Sequence, residues 1–385
     1  MNNPLKIAHI TYCYQPIIGG QEIYIDNMIR MFDRIGAIST VYQPVNKRYH
    51  YFSSQKDERI RFVFNFPFLG RYIKNIGKYL FSIFLLAHFF SLVKQDVIIV
   101  HYAFHSWPLW FLSKRVIVLS HGVEWYLENQ TFNDKLHQFI AKLTFNRFTL
   151  VANDTHYFRT FNMPIEPATN YFHEVSTNKW FIPNCVDPQK FSKTDPLPEF
   201  KNTKIILVPR QIVVDRGIHL AIEAFHLFSQ DFSDYRLLIL GATRGPKYKG
   251  YCDELVNQYG LHDKVIWRHN VTNNDIHKYY ASAKLTLIPT LRREGTSLSA
   301  IESMACGCPT VTTNIAGLRD LPGIQAEIDP VEIRNKMVYA INNADEISLL
   351  QQTIIINQLN LTNWERAWLK VINDHINKNK IPNNG

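Results

Sequence analysis

Two glutamates, Glu294 and Glu302, stand eight positions apart in "REGTSLSAIESMACGCPTVTTN", residues 293–314. An apolar strand over 284–290 comes immediately before, and Thr296 to Cys306 reads as a helix, so the stretch is a strand–turn–helix unit. Its turn aims the unpaired N–H groups of Thr296, Ser297 and Leu298 outward, and Gly295 has no side chain to hold a ligand off. The natural guest of such a helix start is phosphate. Glu294 falls at the mouth of the helix, whereas Glu302 lies about two turns inside, too deep to cap it. A carboxylate at that depth can accept two hydroxyl hydrogen bonds, as a ribose would offer. Among 33 acidic residues the spacing alone arises by chance. The strand before it and the helix after it carry the argument.

A second group is cationic. Arg210 ends an apolar strand over 204–210, and Arg216 follows six residues later, beside Gly217 at the start of a helix. A guanidinium presents a planar fork that grips phosphate oxygens in pairs, and two of them could neutralise a departing diphosphate. Read alone, Arg216 could instead pair with Asp215 or Glu223 on the surface.

The elements that must position these residues alternate regularly. The first half reads as strand 5–14, helix 22–36, strand 38–43, a long helix near 70–94, and strands 96–103 and 115–120. Between 182 and 202 four prolines and no apolar periodicity mark a linker. Alternation restarts with strand 204–210, helix 217–230, strand 235–242, a helix to Tyr259 and strand 264–270. Helix 274–283, strands 284–290, 309–313 and 324–328, and helix 331–343 follow. Two doubly wound parallel sheets result, with a cleft between the carboxyl ends of their strands.

The chain has 385 residues, of which 46% are apolar, enough for two substantial cores. No stretch reads as a secretory signal, because the first apolar segment alternates like a strand and lacks a cleavage site, so a cytoplasmic location is expected. Five cysteines at scattered positions give no disulfide framework, and Cys306-Gly-Cys308 has no second pair to complete a zinc site. The formal charge of +9 implies an anionic partner, and no nucleic-acid-binding signature accompanies it. Segment 79–93 falls short of the ~20 apolar residues needed to span a bilayer and reads as a buried crossover helix. Just before it Arg71, Lys74 and Lys78 share a helical face with Tyr72, Ile73, Ile76 and Tyr79. The pattern suits either docking on anionic lipid headgroups or a solvated basic face.

Arg210, a cation followed by Gly217, and "EGTSLSAIESMACGCPTV" together resemble the retaining nucleotide-sugar glycosyltransferases of family four, which have the GT-B fold. "IIGGQE" (17–22) is similar to their glycine-rich loop, "SHGVEW" (120–125) to their histidine loop, "FIPNCVD" (181–187) to their linker signature, and "LTNWERAWLKVINDH" (361–375) to their closing helix. The resemblance implies a Rossmann-like acceptor domain over 1–185, a nucleotide-sugar domain over 186–362, and over 363–385 a helix crossing back to the first domain, then a tail. It implies that Glu294 contacts the donor sugar, Glu302 holds the ribose, and Arg210 and Arg216 stabilise the leaving diphosphate with the backbone of Gly295, Thr296, Ser297 and Leu298. Gly19 and Gly20 would approach from the other domain, and His121 would hydrogen-bond the transferred sugar. Without the resemblance, a lone histidine after a strand is an ordinary structural residue.

Three positions depart from that pattern. Arg216 stands where lysine is usual, Cys185 replaces a glycine of the linker, and "WRHNV" (267–271) lacks the glycine found where the base stacks. No pair of aspartates is separated by a single residue, so no metal is expected: two guanidinium groups and a helix terminus supply the countercharge. The expected protein is a retaining hexosyltransferase with a nucleoside diphosphate sugar as donor and a saccharide, preferably lipid-linked, as acceptor. An epimerase or hydrolase on the same frame, and a non-catalytic nucleotide-sugar-binding partner protein, are the alternatives.

Overall fold

A computed structural model of the chain describes residues 3–14, 19–45, 57–65, 76–163, 165, 170–269, 271–272 and 274–379. The first half forms an eight-stranded sheet. Its strands are β1 (Lys6–Ile10), β2 (Ile38–Pro44), β3 (Ile60–Val63), β4 (Val97–Val100), β5 (Val116–Ser120), β6 (Thr149–Ala152), β7 (His173–Ser176) and β8 (Lys179–Phe181). They lie in the order β3-β2-β1-β4-β5-β6-β8-β7. All pairs are parallel except the β7–β8 hairpin at the edge. The central strands "VIIV" and "VIVLS" are apolar almost without interruption because both faces are covered, and every residue in them is buried.

The second half repeats the design with six strands. These are β9 (Lys204–Val208), β10 (Tyr235–Leu240), β11 (Val265–Arg268), β12 (Ala283–Ile288), β13 (Thr310–Thr313) and β14 (Ile324–Ala326), all parallel, in the order β11-β10-β9-β12-β13-β14. In each sheet the strand order reverses beside the first strand, between β1 and β4 and between β9 and β12. An open parallel sheet leaves a crevice at such a point, because neighbouring connections depart to opposite faces.

Several elements were not legible in the sequence. Strands β3, β6, β7 and β8 are each only three or four residues long, too short for periodicity to register. The helix Phe132–Arg147 and the helix Ala344–Gln358 also lie outside the expected set. The long helix expected near 70–94 breaks up: its described part is the helix Ile76–Phe84, a 3-10 turn Leu85–His88 and a last turn Phe89–Leu92. Phe81, Leu85 and Leu92 are buried while Ile83, Leu86, Phe89 and Phe90 are exposed, so the segment is half-buried rather than a buried crossover. Arg71, Tyr72, Ile73 and Lys74 lie outside the described residues. Among the described residues no helix is long and apolar enough to cross a membrane.

The chain passes between the domains twice, and the two passages touch. Val186 N donates to Leu359 O at 3.0 Å, and Leu361 N donates to Val186 O at 2.9 Å. The helix Leu361–Asn379 then packs on the first domain, where Trp364 and Trp368 are fully buried and Trp368 Nε1 donates to Tyr24 Oη at 2.7 Å. Cys185 belongs to that same core, so the side chain that replaces a linker glycine fills space beneath the returning helix.

Candidate active site

A cleft of about 830 Å³ runs between the domains, walled by the carboxyl ends of both sheets. Its second-domain wall is built where the strand order reverses. Arg210 follows β9, and Thr290 and Glu294 follow its neighbour β12. Arg210 Nη2 donates to Oε2 of Glu294 at 2.8 Å and to Oγ1 of Thr290 at 2.6 Å. Arg216 donates from Nη1 to the same Glu294 oxygen. The alternative of a surface pair is therefore set aside: Arg216 takes Glu294, while Asp215 accepts from Tyr126 Oη at 3.0 Å and lies 3.5 Å from Arg293 Nη2.

Burial disfavours the charged guanidinium and pulls Arg210 down to about 10; the same effect, with Arg210 beside it, pulls Arg216 to about 9. Both stay protonated at neutral pH. One carboxylate between two guanidinium groups leaves the cluster one positive charge in excess, and that excess faces the cleft.

Beyond Glu294 the helix Leu298–Ala305 begins, with Ser297 as its N-cap and no side-chain cap bond. This start is two residues later than the sequence reading placed it, so Glu302 sits about one turn inside rather than two. Glu302 lines the cleft, is buried, and accepts from Tyr280 Oη at 3.0 Å. Burial raises its carboxyl to about 7.

Leu298, Thr296 and Gly295 line the cleft, whereas Ser297 is buried and is not among the lining residues. The Thr296 hydroxyl is occupied: it donates to Asn153 O at 2.9 Å and accepts from Asn184 N at 2.8 Å, tying the two domains together. Gly295 is glycine for a reason the sequence did not reveal. A Cβ there would stand 2.6 Å from Asn153 Oδ1, so the missing side chain admits the first domain.

On the facing wall Gly19, Gly20 and His121 line the cleft, while Ile17 and Ile18 of the same loop lie outside the described residues. His121 is held neutral by burial, its imidazole pulled down to about 3. Its Nε2 contacts His101 Nδ1 at 3.2 Å. Lys78 lines this wall as well, so it belongs to the cleft and not to an outer basic face. Val271, the last residue of the "WRHNV" segment that lacks a glycine, lines the cleft together with Thr272.

Several cleft residues went unnoticed in the sequence. Arg293 donates to Glu124 O at 2.9 Å and lies 3.9 Å from the centre of the Tyr126 ring, bridging the domains across the mouth. The adjacent Arg292-Arg293 pair immediately before Glu294 was the available signal. For Tyr280, which lines the cleft, and for His9 and His101, buried behind His121, no local pattern existed, because helix packing and strand register alone place them.

The architecture is that of the GT-B glycosyltransferases: two facing Rossmann-like domains with the cleft between them. Residues 189–365, which are the second domain and the start of the returning helix, match the family Glycosyl transferases group 1. A sucrose-phosphate synthase from Thermosynechococcus elongatus superposes with a TM-score of 0.78 at 15% identity, covering 97% of this chain and 100% of that one. HepE of Anabaena in complex with UDP-glucose superposes with a TM-score of 0.73 at 15% identity, covering 96% of this chain and 100% of that one. An uncharacterized glycosyltransferase of Methanocaldococcus jannaschii is 27% identical over 177 residues, 46% of this chain and 43% of its own length. The chain thus spans less than half the length of the curated relatives it matches.

Proposed function

We propose that this chain is a retaining, metal-independent glycosyltransferase that moves a hexose from a nucleoside diphosphate sugar to a saccharide acceptor. The observation that carries the reading is the convergence of Arg210 and Arg216 on Glu294, at the strand-order reversal and beside the start of the helix Leu298–Ala305. A diphosphate seated there meets two charged forks and a helix N-terminus, so the charge that develops on the leaving group is met without a divalent ion. Glu294, held by both arginines, then faces the anomeric carbon's sugar ring, and Glu302 accepts from the ribose hydroxyls. His121 bonds the transferred sugar from the opposite wall. Gly19 and Gly20 let that wall approach. The HepE complex with UDP-glucose supports a nucleotide sugar as the donor class.

The acceptor we assign is a lipid-linked saccharide at an anionic membrane surface. The helices Ile76–Phe84 and Phe132–Arg147 both pack on the 3-10 run Ala103–Arg115; with the turns Leu85–His88 and Phe89–Leu92 that continue the first helix, these elements expose Leu86, Phe90 (80%), Phe111 (88%), Phe132 and Phe139. Lys94, Lys114, Lys135, Lys142 and Arg147 are exposed on the same elements or beside them. Aromatic side chains flanked by lysines suit insertion at a headgroup boundary.

Turnover is tested with purified protein and UDP, GDP, ADP and dTDP sugars, with and without saccharide acceptor, in excess chelator. Transfer with retained anomeric configuration is expected. Release of free sugar alone, an epimerised donor, inversion, or no turnover would each replace the reading by a hydrolase, an epimerase, an inverting enzyme or a binding protein. Flotation on vesicles containing phosphatidylglycerol tests the membrane: a Phe90→Ser, Phe111→Ser, Phe132→Ser variant should stay at the bottom of the gradient. Equal flotation of variant and wild type would end that part of the proposal.

A further inference from the structure

Three histidines run in line from the core of the first domain to the cleft. His9 lies in β1, His101 follows β4 directly and His121 follows β5 directly, and these strands are neighbours in the sheet. Register explains the line. His9 pairs with Ile99 and Val100 pairs with Val118, so each histidine stands two residues further along its strand than its neighbour's partner. Side chains two apart share a face. The rings meet accordingly: His9 Nδ1 lies 3.2 Å from His101 Nε2, and His101 Nδ1 lies 3.2 Å from His121 Nε2. At the inner end, His9 Nε2 is buried with no partner among the described residues.

Proton counting limits what this chain can be. Burial keeps all three rings neutral, pulling His9 and His121 to about 3 and His101 well below its ordinary value. Three neutral imidazoles carry three N–H protons. One proton occupies each of the two contacts, since His101 can neither donate twice nor accept twice while neutral. The third proton sits at one end of the line, on His9 Nε2 or on His121 Nδ1. On His9 it would be a buried N–H with no acceptor; on His121, whose ring lines the cleft, it faces ligand or water and leaves His9 Nε2 only an unused lone pair, the less costly of the two orphans.

We propose that His9 and His101 are positioning residues that fix His121 in the Nδ1–H tautomer, so that the cleft is offered a hydrogen-bond donor from this wall. Donation then runs His9 to His101 to His121. The partner it selects is an acceptor oxygen, a sugar hydroxyl lone pair or a phosphate oxygen; that assignment of the ligand rests on the glycosyltransferase reading, but the tautomer does not.

The test is long-range proton–nitrogen NMR on the full chain labelled with nitrogen-15 histidine, with no substrate present, so its failure leaves the transferase reading untouched. The His121 spectrum, identified by its loss in His121→Gln, should show hydrogen on Nδ1 and none on Nε2. Hydrogen on Nε2 in the wild type overturns the proposal. His9→Leu removes the first donor and should let a second, Nε2–H form of His121 appear. His9→Asn, whose amide nitrogen takes over the donation to His101, should restore the single Nδ1–H form. An unchanged tautomer in His9→Leu, or a mixture in His9→Asn equal to that in His9→Leu, would show that the line does not set His121. Should His9→Leu fail to fold, the wild-type tautomer still decides.

Discussion

Arg210 and Glu294 share a hydrogen-bonded ion pair at 2.8 Å, with the side chains only 7% and 10% exposed. A pair this enclosed is organised before any ligand arrives, because neither partner can relax into water. Replacing Glu294 by Gln keeps the shape and removes the charge. Turnover should fall on the order of 10²-fold to 10³-fold while nucleotide affinity changes little. Glu294→Ala should in addition lower the unfolding free energy by about 3 kcal/mol, since two guanidinium groups then face each other without a carboxylate. Steady-state kinetics and urea titration measure the two effects separately.

Glu302 gives a pH-dependent stability with a definite sign. Its folded carboxyl is raised from 4.5 to about 7, so between those values the unfolded chain ionises while the folded one keeps its proton. The favourable contribution of the protonated form is complete below about 4.5 and is lost as pH rises through about 7. Glu302→Gln should therefore stabilise the protein at pH 8 by up to roughly 3 kcal/mol and leave it unchanged near pH 4. The same variant should weaken UDP binding. Thermal melts at both pH values and calorimetry with UDP check it.

Gly217 separates Arg216 from the helix Ile218–Asp231 with φ at +66°, and a Cβ there would fall 1.8 Å from Pro289 O. Gly217→Ala should cost at least ~2 kcal/mol in stability. It should also move Arg216 off Glu294 and weaken binding of UDP more than binding of uridine, a contrast that calorimetry reads directly.

Trp368 tests the returning helix. Trp368→Phe removes the bond to Tyr24 and should cost about 1 kcal/mol; Trp368→Ala also opens a cavity and should cost about 3–5 kcal/mol. Chemical denaturation should show the larger loss in the unfolding of the first domain.

The sequence displayed the site more fully than the scaffold. Strand runs such as 204–210 and 284–290 register because a buried parallel strand is almost wholly apolar, and the arginines and glutamates fall at their ends. Thus Arg210, Arg216, Glu294 and Glu302 were all nameable, and all line one cleft. Ser297 was not separable from its neighbours, since the two-residue difference in helix start decides which groups face outward. The short strands β6, β7 and β8 hide because a few residues cannot establish a period. The histidine line hides because a contact between residues 9, 101 and 121 exists only in the register of three strands. Gly295 reads in the sequence as a glycine that lets a ligand come close; the side chain that approaches it in the structure is Asn153, whose position only the packing of the two domains decides.

The helix Leu361–Asn379 has a consequence for synthesis. Trp364 and Trp368 complete the core of the first domain, yet the whole second domain lies between them and the strands they cover. At roughly 5–20 residues per second a ribosome needs on the order of ten seconds to cross that interval. For that time the nascent first sheet carries a bare apolar flank, and chaperone dependence should be greatest in that window.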